Sequence, residues 1–376
     1  MARRKGKSRS RVKDWDHRFR RGHPEELDEA HDVESLQPQR VKLGPDRASA
    51  GPEDTALEGG PRAEGMVTGM FRGGACVRVA GEDLPCRIAG TFRAPKGFTA
   101  LAVGDDVTVV LTTSGHLSGD RSLDKDRADG VILTRLPRRT ALARPPGYRG
   151  KRRGRYDEAG AEKVIVANMD VLLIVVATRQ PAIRPALIDR FCIVAERGEM
   201  EPVVVFNKTD LGGPDQEVVA ELESGQIRLV RCSAATGEGF GELLPAIQGR
   251  RNVLAGASGV GKSTLVNALV PGADLATRQV RSKDDRGRHM TASATVHELP
   301  GGGLIVDTPG VRELAMGIDA AELPWYFPEM AEVAGACRFN DCSHTHEPDC
   351  AVRDAVEAGG ISLRRYHSYL RILESL

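Results

Sequence analysis

The consecutive residues Gly256-Ala257-Ser258-Gly259-Val260-Gly261-Lys262-Ser263-Thr264 have the spacing G-x-x-x-x-G-K-[ST]. Glycines at the first, fourth and sixth positions let a backbone curl until successive N–H groups converge on phosphate oxygens. A lysine at this point reaches the β- and γ-phosphates, and the hydroxyl that follows it completes the shell of a Mg²⁺. The chemistry on offer is the holding of a nucleotide polyphosphate. The surroundings agree. A short apolar run at 252–255 reads as the strand before the loop, and Leu265-Val266-Asn267-Ala268-Leu269 reads as the helix whose N-terminus faces the phosphates.

Three further segments choose the base. The apolar run 203–206 ends in Asn207-Lys208-Thr209-Asp210. A carboxylate at Asp210 accepts from both N1–H and the 2-amino group of guanine, donors that adenine lacks on that edge. The run 227–230 leads into Ser233-Ala234-Ala235, a loop whose backbone meets the guanine oxygen. The run 304–306 ends in Asp307-Thr308-Pro309-Gly310. There Asp307 is the candidate that holds Mg²⁺ through water, and the Gly310 N–H the candidate for the γ-phosphate. Together these motifs describe a GTP site.

Their order is rotated. N-K-x-D and S-A precede the phosphate loop, and D-x-x-G follows it, so the domain is circularly permuted, which nearby termini permit. Between the phosphate loop and Asp307 lies Gly287-Arg288-His289-Met290-Thr291-Ala292, polar and loop-like. Thr291 is the candidate that closes on Mg²⁺ with Ser263. Val311 stands where many GTPases carry a water-orienting Gln, and an apolar side chain cannot orient water. His289 is the nearest chemically able group and the catalytic candidate.

Near the C-terminus, Cys337-x₄-Cys342-x-His344-x₅-Cys350 gathers three thiolates and an imidazole at a spacing that suits a closed, tetrahedral, structural Zn²⁺ site. His346 is an alternative to His344. Beyond it, 361–376 reads as a basic helix with Arg364, Arg365, His367 and Arg371.

These sites need elements to position them. The 376 residues suffice for two or three domains. A net charge of +1 places any nucleic-acid affinity in local patches. Seven cysteines, an odd number, without a secretory signal point to a reducing, cytoplasmic setting. The most apolar run, 164–177, contains Asn168 and Asp170 and is too short to span a bilayer, so no membrane association is expected. Residues 1–22 hold ten Lys/Arg against two Asp. With the acidic, Pro/Gly/Ala-rich stretch that follows, 1–62 reads as a disordered tail whose basic arm suits nucleic acid. Alternating runs at 66–71, 75–80, 84–89, 106–111 and 130–136 suit a small β-barrel over 63–137, of OB or SH3-like type. Residues 138–160 carry Arg138, Arg139, Arg144, Arg149, Lys151, Arg152, Arg153 and Arg155, and read as a solvated basic linker open to RNA. Strand and helix patterns then alternate through a largely parallel α/β domain, 161–322, with the cysteine-rich region at 323–376.

Barrel, N-K-T-D, G-A-S-G-V-G-K-S-T, G-R-H-x-T, D-T-P-G-V-R-E, F-P-E and C-x₄-C-x-H-x₅-C, in that order over about 65–376, resemble one family. It is that of the circularly permuted, small-ribosomal-subunit-dependent GTPases of bacteria (RsgA, also called YjeQ). The resemblance implies an N-terminal OB-type β-barrel, a central circularly permuted α/β P-loop GTPase domain and a C-terminal zinc-binding helical domain. It implies GTP hydrolysis late in maturation of the small subunit, stimulated by the subunit and its 16S rRNA and coupled to release. GTP and GDP with Mg²⁺ are the implied ligands, one structural Zn²⁺ the implied metal, and a monomer the expected state. The family's switch-I histidine falls on His289. Two departures stand out: G-R-H-T-T-T is here G-R-H-M-T-A, and the tail of some sixty residues is longer than the family's usual start. An RNA-binding scaffold in which GTP is only a ligand, and a permuted GTPase of large-subunit assembly, are the competing readings. Asp210 disfavours a P-loop ATPase.

Overall fold

The computed structural model describes residues 40–41, 48–49, 60–90, 92–94, 99–112, 128–144, 162–273, 294–308 and 316–376. After the short β1 (Ala48–Ser49) come β2 (Arg62–Phe71), β3 (Gly74–Val79), β4 (Glu82–Ile88), β5 (Asp106–Leu111) and β6 (Gly130–Arg135). The last five close on themselves in the order β2-β3-β4-β6-β5, and β1 adds to the edge of β6. β4 and β6 run parallel, while the other barrel pairs are antiparallel. That parallel pair selects the OB arrangement from the two barrels left open by sequence. Alternate residues point inward, as a pleated strand requires. Ala75 and Val77 from β3 meet Val107 and Val109 from β5 and Val131 and Ile132 from β6.

A two-stranded ribbon of β7 (Ala141–Arg144) and β8 (Lys163–Ala167) joins barrel to sheet. The expected basic linker therefore needs correction at its start. Arg138 is fully buried, its guanidinium donating to Asp105 at 2.7 and 2.8 Å, and it is closed to RNA. Asp105 also accepts from the Ala102 N–H at 2.7 Å, so its carboxylate is well satisfied, while Arg138 Nη1 is buried without a hydrogen-bond partner among the described residues. Removing one partner of such a pair costs roughly 3–5 kcal/mol. Arg139 reaches Asp170 at 3.2 Å. Residues 145–161 lie outside the described residues.

The second sheet is built from β9 (Val171–Ala177), β10 (Glu201–Asn207), β11 (Arg228–Arg231), β12 (Arg251–Ala255), β13 (Thr295–Glu298) and β14 (Leu304–Asp307). Its order is β11-β10-β9-β12-β14-β13, parallel except for the edge strand β13. Every residue of the central β9 is buried. Leu172, Ile174 and Val176 face one core, with Ile188 and Phe191 of α1 (Pro185–Arg197) and Val218 of α2 (Gln216–Ser224). Val171, Leu173 and Val175 face the other, with Leu243 of α3 (Phe240–Ile247) and Leu265 of α4 (Lys262–Leu269). Two covered faces explain the unbroken apolar run in the sequence. α2 starts where Asp215 accepts from the Glu217 N–H at 2.9 Å.

Polar contacts key the barrel to this sheet. Arg251, first residue of β12, donates to both carboxylate oxygens of Asp106 at 2.8 and 3.1 Å. Asn168 Nδ2 donates to the Gly104 carbonyl at 3.1 Å. Gly104 has φ +89, and a Cβ there would collide with the Ala167 carbonyl, so only glycine fits.

The C-terminal region holds a 3₁₀ turn at Leu323–Tyr326, α5 (Pro328–Ala334), α6 (Ala351–Glu357) and α7 (Leu363–Leu373). α7 lies on α1. Arg365 donates to Asp189 of α1 and, at 2.6 Å, to Glu329 of α5, and stacks 4.5 Å over the Phe327 ring. Arg364 pairs with Glu221 of α2 at 2.8 Å. Among the described residues no helix is long and apolar enough to cross a membrane.

Candidate nucleotide site and metal centre

The loop 256–261 joins β12 to α4 at the C-terminal edge of the sheet, so its N–H groups and the helix N-terminus face one region. Gly256 (φ +140) and Gly261 (φ +96) take conformations that only glycine adopts freely. A side chain at Gly256 would strike the Val175 carbonyl, and one at Gly261 would strike Asn207. Lys262 Nζ donates to the carbonyls of Gly256 and Ala257, both at 2.8 Å, and so lies folded along the loop.

One buried side chain ties three motifs together. Asn207 ends β10 and is 1% exposed. Its Nδ2 donates to the Val260 carbonyl at 2.9 Å, and its Oδ1 accepts from the Ala234 N–H at 2.9 Å. Next to it, Lys208 has φ +65 and donates from Nζ to Gln180 O at 2.5 Å and Gly259 O at 2.7 Å. Thr209 and Asp210 follow in a 3₁₀ turn, where Asp210 Oδ1 accepts from Ser233 Oγ at 2.6 Å. The N-K-T-D, S-A and phosphate loops thus form one bonded rim. Asp307 closes β14, which pairs with β12 through Val306 and Val253, so it sits on the same edge of the sheet. His289, Thr291 and Gly310 lie outside the described residues.

Sequence reasoning missed Thr178, whose Oγ1 donates to Lys208 O at 2.7 Å and whose N–H donates to Asn207 O at 2.9 Å. A threonine directly after the all-apolar β9 was the available signal. A cavity of about 220 Å³ lies beside the phosphate loop, between its backbone and Leu187, Ile188 and Phe191 of α1. It is a space next to the rim, with a lining mostly apolar.

In the C-terminal region, one ligand atom from each of Cys337, Cys342, His344 and Cys350 falls within 4.8 Å of the others. Cys337 Sγ and Cys350 Sγ are 3.9 Å apart, and His344 Nδ1 is 3.6 and 3.5 Å from them. A tetrahedron with Zn–S bonds of about 2.3 Å has edges of about 3.8 Å, so the donor set fits that ion. His344 is buried at φ +58, while His346 is exposed and bonds Thr345 Oγ1 at 2.8 Å through Nδ1. The cluster uses His344. Tyr366 and Tyr369 of α7 hold its backbone, donating to His344 O at 2.6 Å and Ser343 O at 2.9 Å. Cys86 and Cys232 are buried elsewhere, and burial raises each thiol to about 12, so they remain protonated filler.

A family model described as RsgA GTPase matches residues 135–317. A relative from Gemmatimonas aurantiaca named small ribosomal subunit biogenesis GTPase RsgA is 42% identical over 287 residues, covering 74% of this chain and 86% of the relative. The chain belongs to the RsgA GTPase family. A Chlorobaculum tepidum relative of the same name is 38% identical over 321 residues, covering 83% of this chain and 97% of its own length. The crystal structure of YjeQ from Thermotoga maritima superposes with a TM-score of 0.61 at 33% identity, covering 84% of this chain and 99% of that one. That of YloQ, described as a circularly permuted GTPase, gives 0.57 at 26% identity, covering 84% and 95%. As an RsgA GTPase the chain is an enzyme that hydrolyses GTP.

For this family member, base choice is expected to rest on Asp210. Asp210→Asn reverses the hydrogen-bonding pattern on one side of the carboxylate. GTP affinity should fall at least about tenfold, the value of a charge-assisted hydrogen bond, while xanthosine triphosphate binding improves. Titration with both nucleotides checks this. An unchanged preference removes Asp210 from the base site.

Proposed function

We propose that this RsgA GTPase binds the small ribosomal subunit through its 16S rRNA, hydrolyses GTP late in the subunit's maturation, and leaves it as hydrolysis proceeds. The observation that carries the reading is the Asn207 brace, which joins guanine-reading and phosphate-holding loops in a chain that also has an OB barrel and a Cys₃His cluster. The relatives' printed name supports the choice of subunit. The protein works as a monomer in the cytoplasm.

The roles follow from the rim. Asp210 receives N1–H and the 2-amino group of guanine, with Ser233 Oγ already holding one carboxylate oxygen in place. Asn207, Lys208, Thr209 and Ala234 shape the base pocket. The backbone from Gly256 to Thr264 cradles the phosphates, and Lys262 leaves the Gly256 and Ala257 carbonyls to meet them. Ser263 and Thr291, with Asp307 through water, would hold Mg²⁺. When bound with GTP that ion neutralises charge on the β- and γ-oxygens. The Gly310 N–H serves the γ-phosphate, and His289 positions the attacking water in place of Val311. Cys337, Cys342, His344 and Cys350 would hold one structural Zn²⁺.

Steady-state GTP turnover with and without purified small subunits tests the proposal, with large subunits as the control. Strong stimulation by small subunits alone is expected. Equal stimulation by large subunits, or none, overturns it in favour of large-subunit assembly or of a scaffold that merely binds GTP. In the same assay His289→Ala should keep GTP affinity and lose about 100-fold of the stimulated rate, as a positioned group acting on water would. If that variant is stimulated like the parent, the water is held elsewhere.

A further inference from the structure

Lys208 is the one residue of the N-K-T-D run with a left-handed backbone, φ +65 and ψ +38. That conformation is uncommon for a residue with a side chain and persists only where its surroundings enforce it. It turns the chain out of β10 and into the 3₁₀ turn Thr209–Leu211, whose middle residue is Asp210. The direction in which the Asp210 carboxylate is presented is therefore set at Lys208.

The lysine's ammonium, bonded to Gln180 O and Gly259 O, holds its side chain. Its backbone is held separately. Lys208 O accepts from the Leu211 N–H at 3.0 Å, which closes the turn, and from Thr178 Oγ1 at 2.7 Å. Thr209, inside the turn, gives no such help, since its hydroxyl is buried without a hydrogen-bond partner among the described residues. The hydroxyl that fixes the turn comes instead from the end of β9, 30 residues upstream and outside every nucleotide-binding motif. Thr178 is itself well placed to do this. It is 2% exposed, and its N–H donates to Asn207 O at 2.9 Å, extending the pairing of β9 with β10 beyond Ala177.

We infer that Thr178 is a positioning residue for guanine recognition. Its hydroxyl fixes the Lys208 carbonyl and, through the turn that starts there, the orientation of Asp210 toward the base. This rests on the reading of Asp210 as the guanine acceptor and adds the residue that aims it. Valine has nearly the shape of threonine without the hydroxyl. In Thr178→Val the backbone bond to Asn207 O remains and Lys208 O keeps the Leu211 N–H, so the turn loosens without a buried carbonyl left unpaired.

The test titrates GTP, GDP and inosine triphosphate into the full-length parent, Thr178→Val and Thr178→Ser. Inosine keeps N1–H and lacks the 2-amino group, so it meets Asp210 with one hydrogen bond instead of two. Thr178→Val should weaken GTP and GDP alike by about fivefold, the value of a neutral hydrogen bond. Its loss on inosine triphosphate should be smaller, so that the preference for GTP narrows. Thr178→Ala, smaller and also without the hydroxyl, should behave as the valine variant does. Thr178→Ser brings the hydroxyl back and should restore both affinity and preference. A merely structural threonine would move all three nucleotides equally. The role is overturned if Thr178→Val binds GTP as the parent does, if inosine triphosphate loses as much as GTP, or if serine fails to rescue. Asp210→Asn, titrated alongside, reads the base site itself. A parent without preference for GTP over inosine triphosphate ends both readings, whereas a preference that depends on Asp210 and not on Thr178 ends only the role of Thr178.

Discussion

Asn207→Ala is expected to raise the dissociation constant for GTP about 100-fold while the chain stays folded. Among the described residues the side chain is the sole partner of two backbone groups that belong to different loops, Val260 O and Ala234 N–H. Each buried group left unpaired costs roughly 1–3 kcal/mol, and the loops can escape that cost only by moving apart. Either outcome spoils the alignment of base pocket and phosphate cradle, on which joint recognition of one nucleotide depends. Asn207→Asp should not rescue, because it keeps the acceptor for Ala234 but turns a carboxylate toward the Val260 carbonyl. Isothermal titration with GTP and with GDP checks both variants. Affinity equal to the parent's would mean that the loops are held by Lys208, which spans Gln180 and Gly259.

Zinc removal should have the second large effect. One Zn²⁺ per folded chain is expected, lost in Cys342→Ser. The free energy of structural zinc binding, on the order of 10 kcal/mol, is folding free energy for the segment that supplies the ligands. Here Cys337, Cys342 and Cys350 belong to the core that α5, α6 and α7 share with α1. Amide exchange should therefore rise across α5–α7 in the variant while α4, in the opposite core with Leu265 and Val266, stays protected. Metal analysis and hydrogen exchange read the two halves of this expectation. Full zinc content in Cys342→Ser would show that other side chains supply the fourth ligand.

Local requirements were legible in the sequence. The phosphate loop demands glycine at fixed places because its backbone takes positive φ at Gly256, Gly259 and Gly261, a conformation that side chains disfavour wherever such a loop is built. The barrel strands were legible through alternation, and β9 through its unbroken apolar run. What could not be read was how these pieces meet. Arg138 looks like one more member of an arginine run until Asp105, thirty-three residues away, is seen to face it with no solvent between. Ala141–Arg144 reads as linker because four residues are too few for a periodic pattern, and pairing with β8 makes them a strand. The choice between His344 and His346 depends on a left-handed backbone at His344, which spacing does not encode. Asn168 and Asp170, polar intruders in the most apolar run, were the one tertiary signal on view: Asn168 bonds Gly104 of the barrel, and Asp170 accepts from the Arg251 N–H of β12 and from Arg139.

Arg365 is 176 residues downstream of Asp189, the carboxylate it neutralises. Burial raises the pKa of Asp189, and Arg365 is the main influence pulling it back down. During synthesis α1 is made early, and all the nucleotide loops follow before α7 leaves the ribosome. Until then the face of α1 that will be sealed carries a carboxylate without its counter-charge, beside apolar surface without its cover. The nascent domain can assemble its nucleotide rim, yet it has a reason to stay loose on that face. Synthesis of α7 supplies charge and cover in one event, so this face of α1 is sealed only once that helix has been made.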